Sequence, residues 1–436
     1  MNARLLPLVV VTALAVGLAG CNHSSPKKTE QTGSGTRTTV TNAPARDDVV
    51  AATWELGLAA VRTGEGTVVV SPSSLVAALA MLSEGAADGE TAPYDAVMGA
   101  TGQDRTDAVN MLLAALDRYD GDPATVQATT LPAAPVLHTA QRVVLDDDFV
   151  PAQAFLDRLR RGYGAGVLTT DLGSDKGTAA LSAWIDENTG GLVKETAIVP
   201  TPDMVVVLQD AFVLAAAWQH PFDPADTYDA DFAAVVVSAD PIPSSTTVQV
   251  PTMHNELRVP LVQADGWQAV RLPYTSDLSA DLLLPPSRED CPPGDCPVWT
   301  ELDPTMYEAQ ALARLSTALD DAQARNVKVA LPVLDLATTT DLMDLLTSAG
   351  IVDQPLTGVR ADGQAVVVGQ AVQQVVLKVA EDGTRAAAVT EIAMEDGAAA
   401  PPKDLFEVRF DRPFVLVIRD QTTGWPLLLA VVTDPR

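Results

Sequence analysis

An α+β fold in a single domain is the class this sequence predicts, and three observations carry it. Helix-patterned segments cluster in the first half of the chain, Val-rich apolar runs dominate the second, and no further linker or internal repeat interrupts the body after residue 45. A block of helices followed by a block of strands favours segregated α and β layers over a doubly wound parallel sheet. A length of 436 residues suggests two to three domains at roughly 150 residues each. The unbroken body overrules that prior.

The elements follow in order. Val49 to Val61 (VVAATWELGLAAV) has helical spacing. Ser71 before Pro72 marks a helix start, because proline at the first helical position lacks only an N–H that would have no partner. Ala108 to Leu116 and Ala152 to Arg160 read as amphipathic helices. So does Thr178 to Glu187, which runs into Asn188-Thr189-Gly190-Gly191 as a stop. The Gly-rich RGYGAG from Arg161 to Gly166 has no clear helix start after it and reads as a turn. Ala140 to Leu145, Met204 to Leu208, Val327 to Leu331, Ala371 to Val379, Phe414 to Ile418 and Leu427 to Val432 are apolar runs too rich in Val to be comfortable helices, and several are nearly continuous in apolar residues. That pattern suits strands buried on both faces.

The N-terminus, MNARLLPLVVVTALAVGLAG, has one Arg, an apolar run from Leu5 to Val16, and a small-residue end. It reads as an export signal over residues 1–20, too short for a confident membrane span. Leu18-Ala19-Gly20-Cys21 resembles the lipobox of bacterial lipoproteins, which implies cleavage before Cys21, a lipid on its thiol, and a domain facing outward from a bacterial envelope. Residues 21–45 are rich in Ser, Thr, Lys and Gly without apolar periodicity and read as a flexible tether. Cys291 and Cys296 lie in EDCPPGDCPVW. A zinc site needs about four ligands and no second Cys/His pair is near, so in an exported chain a small-loop disulfide is the better reading, with two free thiols the alternative.

Fifty-seven acidic residues against 28 basic ones give a net charge of −29. Phosphate contacts need clustered Lys and Arg, so nucleic acid is excluded as a partner, as is a basic patch for anionic lipid. No HExxH, GxSxG, Walker A or CxxC occurs, and His23, His138, His220 and His254 are scattered. The expectation is a non-enzyme without metal or cofactor.

The most informative stretch is Val376 to Ile418. A buried strand leads into about twenty small, Gly/Ala/Pro-rich residues before the next strands, and a loop that long in a compact domain means function or disorder. Its alternation decides between them. Thr384, Ala386, Ala388, Thr390, Ile392 and Met394 carry no charge, while Arg385, Ala387, Val389, Glu391, Ala393 and Glu395 hold every charge in the segment. Period two describes a half-buried strand, yet the alanines make it a poor strand former. The segment therefore reads as a loop able to become a strand.

Glu381-Asp382-Gly383-Thr384-Arg385-Ala386-Ala387-Ala388 resembles the reactive-centre-loop hinge of the serpins, a family of serine protease inhibitors, and Val408 to Ile418 (VRFDRPFVLVI) is similar to their C-terminal signature. Ser71 to Leu75 with Ala80-Met81-Leu82, Trp184-Ile185 with Asn188-Thr189-Gly190, Asp210 to Trp218, Pro221 to Phe232, Val250 to Met253, Leu272-Pro273-Tyr274 and Leu331-Pro332 match further family runs in order. The resemblance spans Arg46 to Pro435. It implies one domain over residues 46–436 with three β-sheets, eight to nine helices and an exposed reactive-centre loop at about 381–404.

It also implies a monomer whose partner is a target serine-type, and by extension cysteine-type, endopeptidase, held as a covalent acyl-enzyme while the cut loop inserts into the central sheet. Such insertion is strand addition within one chain, and it releases strain stored while the loop is uncut. Counting from the hinge places the cut at Gly397-Ala398; counting back from Phe414 places it near Pro402, with Ala399, Ala400 and Met394 as other candidates. Small residues there suit an elastase-like or subtilisin-like protease. Three departures stand out: Arg385 for an acidic residue, Asp210 for the common Asn, and Ala215-Ala216 for Lys-Gly. The alternatives are a non-inhibitory envelope binding protein of the same fold and a general solute-binding lipoprotein. Uncharged Thr384 and Ala386 to Ala388 argue against the first.

Overall fold

The computed structural model describes residues 30–87, 89–201, 204–236, 244–286, 308–384 and 405–436. In its first half β1 (Glu30–Gln31), α1 (Arg46–Val61), β2 (Val68–Val70), α2 (Pro72–Ser83), α3 (Ala92–Met98), α4 (Gly102–Leu116), β3 (Val136–Asp146), α5 (Gln153–Tyr163), β4 (Val167–Thr170) and α6 (Asp175–Asn188) follow one another. Strands then take over with β5 (Val206–Ala217), β6 (Thr227–Val236), β7 (Ser244–Ala264), β8 (Trp267–Pro273) and β9 (Leu278–Leu284). After α7 (Ala309–Ala318) come β10 (Ala324–Pro332), β11 (Leu334–Asp341), α8 (Met343–Ser348), β12 (Val372–Ala380), β13 (Gly383–Thr384), β14 (Leu405–Arg409), β15 (Phe414–Asp420) and β16 (Pro426–Val432).

The central sheet has the order β1-β4-β3-β5-β13-β12-β11, antiparallel throughout except for the β3–β4 pair. The remaining strands run β14-β10-β7-β8-β9-β15-β16-β2, with β6 on β7. The second and third sheets expected from the sequence are continuous here because β7 pairs with β6 and β10 over its first part and with β8 over its last.

Helix α2 sits between the layers, and every residue from Pro72 to Ser83 is buried, as expected of a helix apolar on all sides. Strands β15 and β16 are buried along their full lengths, which explains their continuous apolar runs. Ser71 takes the predicted N-cap position, but its hydroxyl donates to Leu427 O at 2.8 Å rather than receiving a helix N–H. The Gly-rich turn also forms, with Gly164 left-handed after α5.

A buried ion cluster fixes α7 to the second sheet. Arg271 donates to both oxygens of Asp281 at 2.6 and 2.8 Å and to Asp320, Ser316 donates to Asp281 at 2.6 Å, and Arg419 reaches Ser316 and Asp320. Asp281 is fully buried, so the surrounding donors are what make its charge tolerable.

Residues 30–45, expected to belong to a flexible tether, lie against the body. β1 pairs with the edge strand β4. Ser34 N donates to Asp157 at 2.8 Å, Thr38 N to Arg161 O at 2.8 Å, and Arg37 pairs with Asp117. At Gly33 a Cβ would fall 2.2 Å from Leu156 O, so glycine is what lets the segment run this close to α5.

Candidate functional site

Within the segment that resembles a reactive-centre-loop hinge, Gly383 and Thr384 form a two-residue strand inside the central sheet. After β12, the turn at Glu381-Asp382 reverses the chain, and Gly383 and Thr384 run back between β12 and β5, opposite Ala380 and Val379 on one side and Ala217 and Ala216 on the other. Close approach requires the glycine, since a Cβ on Gly383 would lie 2.1 Å from Ala216 O.

Hydrogen bonds hold the turn to the segment after β5. Trp218 N donates to Asp382 O at 3.0 Å, Phe222 N to Glu381 O at 2.8 Å, and Thr227 Oγ1 to Glu381 Oε1 at 2.8 Å. The Trp218 indole N–H donates to Ala380 O at 2.9 Å, and its ring stacks on Tyr274 with centroids 4.4 Å apart. Beneath the hinge the Tyr274 hydroxyl and Thr384 Oγ1 share a hydrogen bond of 2.6 Å, with both residues buried. Burial raises the Tyr274 pKa well above the usual tyrosine range, with the Thr384 hydrogen bond opposing it.

Below Thr384, among the described residues, no ladder joins β5 to β12. The inner faces that flank this gap present Leu214, Phe212 and Asp210 on β5 and Leu377, Val375 and Gln373 on β12. The lower end is closed by polar contacts: Gln373 donates to Ser71 O at 2.9 Å and accepts from Ser71 N at 2.8 Å, while Gln141 donates to Asp210 at 3.0 Å. A cavity of about 30 Å³ lies between them, lined in part by Leu79, Leu208, Leu342 and Val372.

On the outer face Leu181 packs in one apolar cluster with Val144 and Val207. The segment after α6 crosses to β12 and the residues just before it: Ala197 N donates to Gln374 at 2.9 Å, and Gln370 exchanges hydrogen bonds with Val199 at 3.0 and 2.9 Å. Contacts from α6 and the segment after it thus reach strands on both sides of the gap.

Of the residues singled out in the sequence, Glu381, Gly383 and Thr384 come together at the hinge. Ala386, Ala387, Ala388, Met394, Gly397, Ala398, Ala399, Ala400 and Pro402 lie outside the described residues, as do Cys21, Cys291 and Cys296. Thr384 faces inward, as its parity predicts. The substitution at Ala216 falls opposite Thr384, where a fully buried small side chain fits. Trp218, Tyr274, Gln141 and Gln373 have roles here that the sequence does not assign them. The aromatics stand in the quoted runs, but nothing in one dimension pairs them with Thr384.

A two-residue strand in the middle of the central sheet, with the next described strand, β14, in a different sheet, is the arrangement expected of the serpin class. The serpin (serine protease inhibitor) family model matches residues 56–435, and the chain belongs to that family, whose members are generally protease inhibitors rather than enzymes.

Alpha-1-antitrypsin 1-1 of Mus musculus is 25% identical over 307 residues, covering 69% of this chain and 68% of the relative. A serpin-like protein of Thermococcus kodakarensis is 24% identical over 374 residues, covering 84% and 80%. Among solved structures, the thermophilic serpin tengpin in its native state superposes with a TM-score of 0.73 at 18% identity, covering 92% of this chain and 97% of tengpin. Thyroxine-binding globulin in complex with thyroxine gives 0.69 at 20% identity, covering 89% and 99%. At these identities the structural likeness concerns the fold.

Proposed function

We propose that this chain inhibits a serine-type endopeptidase, or a cysteine-type one by the same chemistry, as a suicide substrate. The protease nucleophile attacks the carbonyl carbon of the scissile residue, the new amine leaves, and an ester or thioester joins enzyme and loop. The freed loop then extends β13 down the gap before water can attack the acyl bond.

One observation carries the reading: β13 starts a strand whose continuation matches the walls of the gap. Extending its register would bring Ala386 between Leu214 and Leu377, Ala388 between Phe212 and Val375, and Thr390 between Asp210 and Gln373. Small residues would meet large ones, and a hydroxyl would meet the polar pair. Full strand pairing on both sides would satisfy backbone groups that have no ladder among the described residues. An uncharged inward face avoids the several kcal/mol that an unpaired buried charge costs.

The favoured cut is Gly397-Ala398, with Ala399, Ala400 and Met394 next, and the favoured target is an elastase-like or subtilisin-like protease. Cys21 is proposed to carry a lipid that anchors the domain, as a monomer, outside the cytoplasm on a bacterial envelope. Incubation with a protease panel tests the inhibitor reading. A complex that survives denaturing electrophoresis is expected, with mass spectrometry of the released C-terminal fragment locating the bond. Clean cleavage by every protease without a complex would overturn it.

A further inference from the structure

Across β6, β7, β10 and β14 the second set of strands carries an open groove of about 400 Å³. The short side chains of Ala230, Thr252 and Ala330 line it from three adjacent strands, and taller ones stand around them. Tyr228 is 57% exposed and is the one aromatic among the large exposed apolar residues described. Its ring is stacked on His254, with centroids 4.1 Å apart and planes 5° from parallel. His254 is itself held in place: a carbonyl only accepts, so the contact of 3.2 Å between Nδ1 and Asp226 O is a donation by the ring. In the neutral imidazole Nε2 is then an acceptor.

The rest of the rim carries charges of both signs. Arg409 contacts Glu407 at 2.8 Å through Nε and at 2.7 Å through Nη2, and Lys328 approaches the same carboxylate oxygen at 4.0 Å. Asp231 accepts from Gln249, and Asp411 accepts from Arg412 at 2.9 Å. Among the described residues these contacts use one oxygen of each carboxylate, Oε1 of Glu407 and Oδ1 of Asp231 and Asp411, and the second oxygen has no partner. Two cations oppose a cationic ligand, three carboxylates oppose an anionic one, and a charged rim is a poor wall for an apolar one. The ligand that matches is neutral, with hydroxyls around its edge and C–H groups on its face.

We propose that this groove is a binding site for neutral saccharides, with Tyr228 as the platform for a sugar ring. The axial C–H groups of a pyranose are slightly positive and pack on the negative face of an aromatic ring. Its hydroxyls both donate and accept. They donate to the free oxygens of Glu407, Asp231 and Asp411 and accept from Lys328 and Arg409, and bonds to charged partners are the stronger kind. Stacking on His254 fixes the orientation of the Tyr228 ring before the ligand arrives, which lowers the ordering cost of binding. The groove lies in a different sheet from the β5–β12 gap, so the proposal goes beyond the inhibitor reading and does not depend on it.

Saturation-transfer NMR on the uncleaved full chain is the test, with neutral oligosaccharides of glucose, galactose, mannose and N-acetylglucosamine as probes and no protease present. Transfer to the ring C–H protons of at least one probe is expected. Tyr228→Ala should weaken that binding by about tenfold, the worth of one well-placed aromatic contact, and Tyr228→Phe, which keeps the ring, should retain it. Ala330→Met fills the groove from below and should abolish binding. Transfer to none of the probes, or an affinity unchanged in Tyr228→Ala, overturns the site. Tighter binding of a sulfated saccharide than of its neutral counterpart overturns the proposed ligand class.

Discussion

Thr384→Arg is the perturbation that separates inhibitor from substrate most directly. Thr384 is 2% exposed, flanked by Ala216 and Val379, and bonded at 2.6 Å to a tyrosine hydroxyl that is itself buried. Arginine there removes the Tyr274 hydrogen bond, at about 1–3 kcal/mol for the orphaned hydroxyl. It also brings a guanidinium to a site with no carboxylate among the partners of Thr384, where an unpaired buried charge costs about 3–5 kcal/mol. The uncut chain can relieve that cost by releasing residue 384 from between Ala216 and Val379, and insertion must then put the guanidinium back, so even about 3 kcal/mol of the total slows that step by about 150-fold. Hydrolysis of the acyl bond does not involve this residue and should keep its rate. The ratio of covalent complex to cleaved chain, read by densitometry after incubation with a protease that the native chain traps, should therefore fall by about two orders of magnitude, while the rate of loop cleavage stays the same. An unchanged ratio would refute the premise that strand insertion beyond Thr384 competes with deacylation.

Four other outcomes follow from the same geometry. Gly383→Ala drives a Cβ into Ala216 O and should lower stability by about 1–3 kcal/mol, seen as an earlier thermal unfolding transition; a wild-type transition would show that β13 can shift at no cost. Tyr274→Phe keeps the stack on Trp218 but leaves the buried Thr384 hydroxyl unpaired, with an expected loss of about 1–3 kcal/mol in denaturant titration; Thr384→Val in the same background should recover part of it. Asp281→Asn leaves Arg271 and Arg419 short of a counter-charge inside the protein and should cost about 3–5 kcal/mol; an unmoved denaturation midpoint would contradict the cluster's part in holding α7. Cys21→Ser should abolish incorporation of a radiolabelled fatty acid and release the protein from the membrane fraction, and retention of label would rule out Cys21 as the acylated residue.

The parts of this fold that can be read from the chain are those where one dimension carries the whole signal. The runs at Phe414 to Ile418 and Leu427 to Val432 are apolar on both parities because they have no exposed face, and they form β15 and β16. The stop at Gly190-Gly191 is legible because both glycines take positive φ. The short strands β1 and β13 are not legible as such. Two residues carry no periodicity, and each exists only because a distant strand offers an edge. The inward parity of Thr384 can be read, whereas its partner Tyr274, far away in sequence, cannot. Ser71 shows the limit of local rules: its position satisfies the capping pattern, but tertiary structure offers its hydroxyl a carbonyl on β16, and the helix loses the cap.

The docked N-terminal segment changes what an anchor at Cys21 would mean mechanically. Nine residue steps separate Cys21 from Glu30, and a fully extended chain covers at most about 30 Å over that distance. The domain would then be moored close to the lipid surface by one margin of its central sheet instead of swinging on a long leash. That margin, β1 with β4, β3 and β5, lies on one side of the gap, and β12 and β11 lie on the other. Were the gap to widen, the mooring would travel with one half of the molecule, so tension on the lipid anchor would act across the same seam that the proposed loop insertion would part.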